Sequence, residues 1–207
     1  MRIRNIIFDL GGVLLNIEYD RTVDAFKKLG LKEPEKAFTK EVQAGIFQKF
    51  EKGQISSREF VNVLSKHMLG ASQAQIVDAW NALLGDFPIE RYHFLSQLAE
   101  KYQLFVLSNT NAIHETAFQK IIEKSVGWEK FKSLFAGIAY SHNLGERKPN
   151  PEIFLKVLSI NEISADETIF IDDTKEHVES ASKLGIKSLH LENESLQDCL
   201  TRNLRLT

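Results

Sequence analysis

Four short apolar runs in this chain each lead to residues with chemical potential. Ile3 to Phe8 ends at Asp9, Leu104 to Leu107 at Ser108 and Asn109, and Thr168 to Ile171 at Asp172 and Asp173, while Gly137 to Tyr140 precedes a loop that carries Lys148. Three carboxylates, an ammonium and a hydroxyl brought into one crevice are costly unless a cation sits among the acids. Mg²⁺ suits such a set, because it takes oxygen ligands and is shared between one or two carboxylates and a phosphate. An ionised carboxylate beside that ion is a competent nucleophile toward phosphorus. Asp9 is therefore the expected nucleophile and a metal ligand, carrying the phosphoryl group transiently. Lys148 is expected to hold Asp9 and the phosphate as a point charge, and Ser108, with backbone N–H groups around it, to donate to phosphate oxygens.

For these ends to meet, the runs must be parallel strands. After Pro88 strand and helix patterns alternate: a helix through Leu98, strand Leu104 to Leu107, a helix from about Asn111, strand Gly137 to Tyr140 and a helix from Pro151. Strand Thr168 to Ile171, a helix to Leu184 stopped by Gly185, and strand Lys187 to Leu191 follow. Alternation of this kind predicts a doubly wound, Rossmann-like parallel sheet with helices on both faces, and ligands beyond the carboxyl ends of its strands. Between Asn16 and about Pro88 the pattern is helical throughout. Asp20 is a candidate cap before Val23, Phe26 and Leu29, and Ser56 with Glu59 and Ser72 with Gln75 form capping boxes ahead of apolar stripes. The predicted organisation is an α/β core made of residues 1–15 and 89–207 with a helical cap domain, 16–88, inserted after the first strand.

The segments F-D-L-G-G-V-L, V-L-S-N-T-N, G-E-R-K-P-N-P-E-I-F and I-F-I-D-D-T resemble, in order, the four motifs of the haloacid dehalogenase superfamily, particularly its helical-cap sugar-phosphate phosphatases. The resemblance implies a Mg²⁺-dependent phosphatase of a small phosphorylated metabolite. By position it makes Asp9 the nucleophile and metal ligand, the Gly11 carbonyl a backbone metal ligand, and Ser108 and Asn109 phosphate and substrate contacts. Lys148 becomes the stabilising lysine and Asp173 the direct acidic ligand, with Asp172 acting through water. The family pattern also places a second Asp two residues after the nucleophile, as general acid, where this chain has Gly11. A leaving group of low basicity, such as an anomeric phosphate, would compensate, as would an acid from the cap; Glu18, Glu51 and His67 are candidates.

Singly, each signal has an ordinary reading: Asp9 as a turn former, Ser108 and Asn109 as a helix cap, Lys148 as loop surface. Their fixed order and convergence outweigh those readings. Gly11 and Gly12 lack the third glycine of a dinucleotide fingerprint. Trp80 and Trp128 read as packing, His114 as a solvated helix residue, and His177 carries no assigned role. With 26 Lys and Arg against 28 Asp and Glu, a net charge of −2, the 207-residue chain has no basic surface for nucleic acid or anionic lipid. One cysteine, Cys199, and no apolar stretch of signal or membrane length point to the cytoplasm. Two alternatives remain: a metal-independent carbon–halogen hydrolase, disfavoured by the acidic pair 172–173, and a binder that lost turnover with Gly11.

Overall fold

In a computed structural model, residues 2–31, 43–68 and 70–204 are described. Residues 32–42 and 69 of the expected insertion lie outside them. Five parallel strands form one sheet in the order β3-β2-β1-β4-β5: β1 Asn5–Phe8, β2 Gln103–Ser108, β3 Gly137–Tyr140, β4 Thr168–Asp172 and β5 Lys187–His190. The three central strands, β1, β2 and β4, are apolar runs rich in β-branched and aromatic residues, buried on both faces as central parallel strands require, whereas the edge strands β3 and β5 are only partly buried. Side chains alternate across the pleat. Ile6, Phe8, Leu104, Val106, Ile169 and Ile171 belong to one apolar cluster and Ile7, Phe105, Leu107 and Phe170 to the other.

Helices cover both faces. On the first lie α5 Ile89–Ala99, α6 Ala112–Ser125 and the C-terminal Leu196–Leu204, and on the second Pro151–Ile160 and Lys175–Ser182. The C-terminal helix lay outside the expected alternation, yet Leu196, Cys199 and Leu200 are buried against the sheet. Their spacing puts them on one stripe.

Among the described residues between 19 and 81 the elements are all helical: α1 Tyr19–Lys28, a π-helical turn Gln43–Phe47 running into α2 Gln48–Glu51, α3 Ser57–Ser65 and α4 Gln73–Asn81. Phe26, Phe47, Phe50, Phe60, Ile76 and Trp80 pack there into an apolar cluster of their own. Both capping boxes form, the Ser hydroxyl accepting from the third helical N–H and the Glu59 or Gln75 side chain accepting from the Ser backbone N–H. Asp20 is not the cap of α1. The helix begins one residue earlier, at Tyr19, and places Asp20 in its first turn, where a carboxylate still favours the positive end of the helix dipole.

Where the chain leaves the sheet and returns to it, two extended segments meet, which the all-helical expectation missed. Asn16 N–H donates to Asp86 O at 3.0 Å, Gly85 N–H to Asn16 O at 2.8 Å and Glu18 N–H to Leu83 O at 2.8 Å, with an antiparallel bridge between Ile17 and Leu84. A Cβ on Gly85 would lie 2.8 Å from the Asn16 carbonyl oxygen, so only glycine permits this approach.

Candidate active site

Sheet order decides which strand ends are neighbours. β1 lies between β2 and β4, with Phe8 in register with Val106 on one side and Ile171 on the other. One residue further along, Asp9 and Asp172 stand side by side, and Asp9 N–H donates to Ile171 O at 2.9 Å. Strand order reverses at this position, where open α/β sheets leave a crevice.

Lys148 reaches this point from the loop after β3 and is fully buried. Its Nζ lies 2.9 Å from Asp9 Oδ1 and donates to Asp172 Oδ2 at 2.6 Å and to Leu107 O at 2.9 Å. All three ammonium hydrogens thus have protein acceptors, and Lys148 acts on a bound anion through its charge rather than through a free N–H. Burial alone would lower its pKa, but Asp9 and Asp172 reverse the sign and hold the ammonium charged. Asn109 fixes the lysine backbone: its Nδ2 donates to Lys148 O and its Oδ1 accepts from Lys148 N–H, both at 2.9 Å. Both ends of its side-chain amide are thereby engaged, while the residue itself lines the pocket.

The three carboxylates differ in environment. Asp172 is fully buried; burial pushes its pKa up, but Lys148 and His177 outweigh that and bring it down to about 2. It accepts from Thr174 N–H at 2.8 Å, and His177 Nδ1 lies 3.0 Å from both its oxygens. His177, given no role by the sequence, therefore orients Asp172; its spacing of five residues from that acid, at a helix start, was the available signal. Asp9 has one oxygen held by Leu10 N–H at 2.7 Å and by Lys148, whereas the other has no partner among the described residues. Burial, with Asp172 and Asp173 adding to it against the pull of Lys148, raises Asp9 to about 7. Asp173 is the least enclosed of the three, raised by burial and by Asp172. One oxygen from each acid lies within 4.8 Å of the others. A Cβ on Gly12, which has φ 74°, would overlap the Asp173 carboxylate, so the glycine lets that acid approach β1.

Asp9, Gly11, Ser108, Asn109 and Asp173 line one pocket of about 770 Å³ that continues under the helical insertion to Tyr19, Glu51 and Trp80. Ser108 is buried, and its hydroxyl makes no hydrogen bond to the described residues. Of the three candidate acids on the insertion, Glu51 lines the pocket, and Glu18 and His67 do not.

His114 is not solvated. It stacks on Trp80 with ring centroids 4.8 Å apart, and its Nε2 lies 3.0 Å from Trp80 O, tying α6 to the insertion. Burial drives its pKa down to about 4, so the folded state carries it neutral. A base depressed from 6.5 contributes stability that is complete above 6.5 and is lost as pH falls through 4, about 3 kcal/mol over that window. Thermal melts from pH 7 to 4 are expected to fall more steeply for the wild type than for His114→Gln; parallel curves would contradict the assignment.

Among the described residues no helix is long and apolar enough to cross a membrane. The chain is 31% identical over 193 residues to a D-ribitol-5-phosphate phosphatase of Bacteroides thetaiotaomicron, covering 92% of this chain and 93% of that protein. It is 30% identical over 195 residues to a sesquiterpene phosphatase of Aspergillus oryzae, covering 94% and 92%. A crystal structure of a haloacid dehalogenase family enzyme of B. thetaiotaomicron, in complex with magnesium and inorganic phosphate, superposes with a TM-score of 0.85 at 36% identity over 93% of this chain and 96% of that one. The family model for haloacid dehalogenase-like hydrolases matches residues 6–191, a span that runs from β1 past β5, and the chain belongs to that family.

Proposed function

We propose that this protein is a Mg²⁺-dependent phosphatase of small phosphate monoesters, probed best with sugar and polyol phosphates, that works through a phosphoryl group carried on Asp9. One observation carries the reading: three acidic oxygens lie within one cation's reach beside an ammonium that fixes the nucleophile, and two of the acids, Asp9 and Asp173, line a pocket large enough for a phosphorylated metabolite. The two phosphatases of similar sequence and the magnesium and phosphate in the similar structure support it. In this reading residues 16–88 form the cap over a core of 1–15 and 89–207, and the enzyme is cytoplasmic, with no nucleic-acid or membrane partner.

The donor set fits a hard divalent ion, since the cluster supplies oxygen ligands and crowds negative charge that Lys148 alone does not relieve at Asp9. Asp9, Asp173 and the Gly11 carbonyl would hold the ion directly, with Asp172 acting through water. When bound, the ion screens nucleophile from phosphate and stabilises charge on the transferring oxygens. The unpaired Asp9 oxygen attacks phosphorus, forming an acyl phosphate as the ester P–O bond breaks and the leaving oxygen departs with its electron pair. Water then attacks the same phosphorus, releasing inorganic phosphate and the Asp9 carboxylate. Lys148 favours the ionised form of Asp9 against burial and keeps the carboxylate aimed, and the Ser108 hydroxyl donates to a phosphate oxygen.

A panel of phosphate esters tests this. Hydrolysis is expected with Mg²⁺ and is lost in EDTA; turnover of a haloacid that survives EDTA would establish the dehalogenase instead. Without an acid at position 11, esters with less basic leaving groups, such as glucose 1-phosphate, are expected to outpace glucose 6-phosphate. A Cβ at Gly11 would meet the Ile17 side chain at 3.2 Å, so Gly11→Asp requires that side chain to give by a few tenths of an ångström. That variant is expected to narrow the gap by speeding the 6-phosphate by about 10²-fold.

A further inference from the structure

The seam between the insertion and the sheet carries two reciprocal ion pairs on consecutive residues. Arg147 Nε lies 2.7 Å from Glu51 Oε2, and Lys52 Nζ lies 3.1 Å from Glu146 Oε2. Beside them, Gly53 has φ 65°, and a Cβ there would overlap the His142 carbonyl oxygen, so the two parts touch backbone to backbone. The pairs are not equivalent. Glu51 and Arg147 line the pocket together with Asp9 and Asp173; Lys52 and Glu146 do not.

The pocket-facing pair is also incompletely bonded. The buried Nε of Arg147 stands close to Glu51 but does not aim its hydrogen at it, and the Arg147 Nη groups and Glu51 Oε1 have no partner among the described residues. Partial burial raises the Glu51 pKa against the opposing pull of Arg147. A charge pair that is only partly exposed, with donors and an acceptor left open toward a pocket, is poised to bond to a ligand. Adjacent acceptor and donor groups of this kind match two neighbouring hydroxyls, one donating to the carboxylate and the other accepting from the guanidinium.

We propose that Glu51 and Arg147 are the specificity-determining pair of this enzyme, recognising adjacent hydroxyls on the carbon chain of the phosphate ester and so selecting polyol and sugar phosphates over apolar ones. The proposal rests on the phosphatase reading and adds the substrate class. An ester without hydroxyls leaves the pair without partners in the pocket, and a site built to hydrogen-bond its substrate discriminates against such an analogue.

The test compares kcat/KM for ribitol 5-phosphate and n-pentyl phosphate, esters with the same carbon count. Wild type is expected to favour the polyol, and Glu51→Gln to lower the ratio at least about tenfold, chiefly through the KM of the polyol. Arg147→Lys keeps the charge but loses the fork, and is expected to act in the same direction. Lys52→Met weakens the seam without touching the pocket, and is expected to change both esters by the same factor. Ratios unmoved by Glu51→Gln and Arg147→Lys in folded, active protein would overturn the proposal, as would an equal shift in Lys52→Met, which would assign the pair to docking. A wild type that hydrolyses neither ester with Mg²⁺ would instead overturn the phosphatase reading, and the proposal with it.

Discussion

Asp9→Asn is expected to lower Mg²⁺-dependent ester hydrolysis by at least about a thousandfold while making the metal-free protein more stable at pH 8. The loss follows because the amide cannot attack phosphorus, and no other carboxylate of the cluster has the same placement: Asp172 is fully engaged by Lys148, His177 and Thr174. The gain in stability follows from the sign of the shift at Asp9. An acid whose pKa is raised from 3.8 to about 7 in the folded protein favours folding below 3.8, and that contribution is lost as pH rises through 7. At pH 8 the ionised group is therefore a burden, which the neutral amide removes. Lys148 keeps two acceptors, Asp172 and Leu107 O, so the substitution leaves no bare ammonium. In EDTA at pH 8 the variant should melt above wild type, and the difference should vanish at pH 4. Mg²⁺ should reverse the order, stabilising wild type by about 3 kcal/mol at a hundredfold excess over its Kd and the variant far less. An unchanged turnover, or a variant that melts lower in EDTA at pH 8, would contradict the role given to Asp9.

Lys148→Met is the second large effect, and here activity and stability fall together. Removing the ammonium leaves Asp9 and Asp172 buried side by side, each without its counter-charge. Stripping one partner from a buried ion pair costs about 3–5 kcal/mol. The carboxyl of Asp172, held down at about 2 mainly by Lys148, contributes stability above 3.8 that is lost as pH falls through 2. Deleting the lysine removes that contribution, so the destabilisation is expected to be largest near pH 8 and smaller at pH 4, where the acids of the variant are protonated. Turnover should drop by at least about 10², since the nucleophile loses its orientation and its field. Lys148→Arg is not expected to rescue it: three acceptors converge on one nitrogen in a site with no exposure, and a planar guanidinium does not fit that geometry. Chemical denaturation at both pH values measures the stability change, and the same ester panel measures the rate.

These effects depend on features that were readable to different degrees. Asp9, Asp172 and Asp173 were legible because a buried parallel strand announces itself as an apolar run, and the residues at its end are the ones that meet the crevice, whereas Lys148 lies in the loop beyond Tyr140 and was placed by its motif. The strand at Gly137–Tyr140 and both capping boxes were equally local, set by residues within one turn of each other. The helix at Leu196–Leu204 carried a readable stripe, but no motif drew attention to it. Asn109 was placed correctly at a strand end, but the hold of its side-chain amide on a backbone 39 residues away was not legible.

Residue types and their order along the chain determined the architecture and the placement of Asp9, Asp172 and Asp173 at neighbouring strand ends, because backbone periodicity and turn chemistry act over a few residues. Tertiary structure alone decided which atoms face each other: the lysine that joins Asp9 to Asp172, the histidine behind Asp172, the neutral His114 beneath Trp80, and Glu51 against Arg147. Those pairings depend on the distance and angle at which separate elements pack, and a hydrogen bond or ion pair is won or lost over about an ångström.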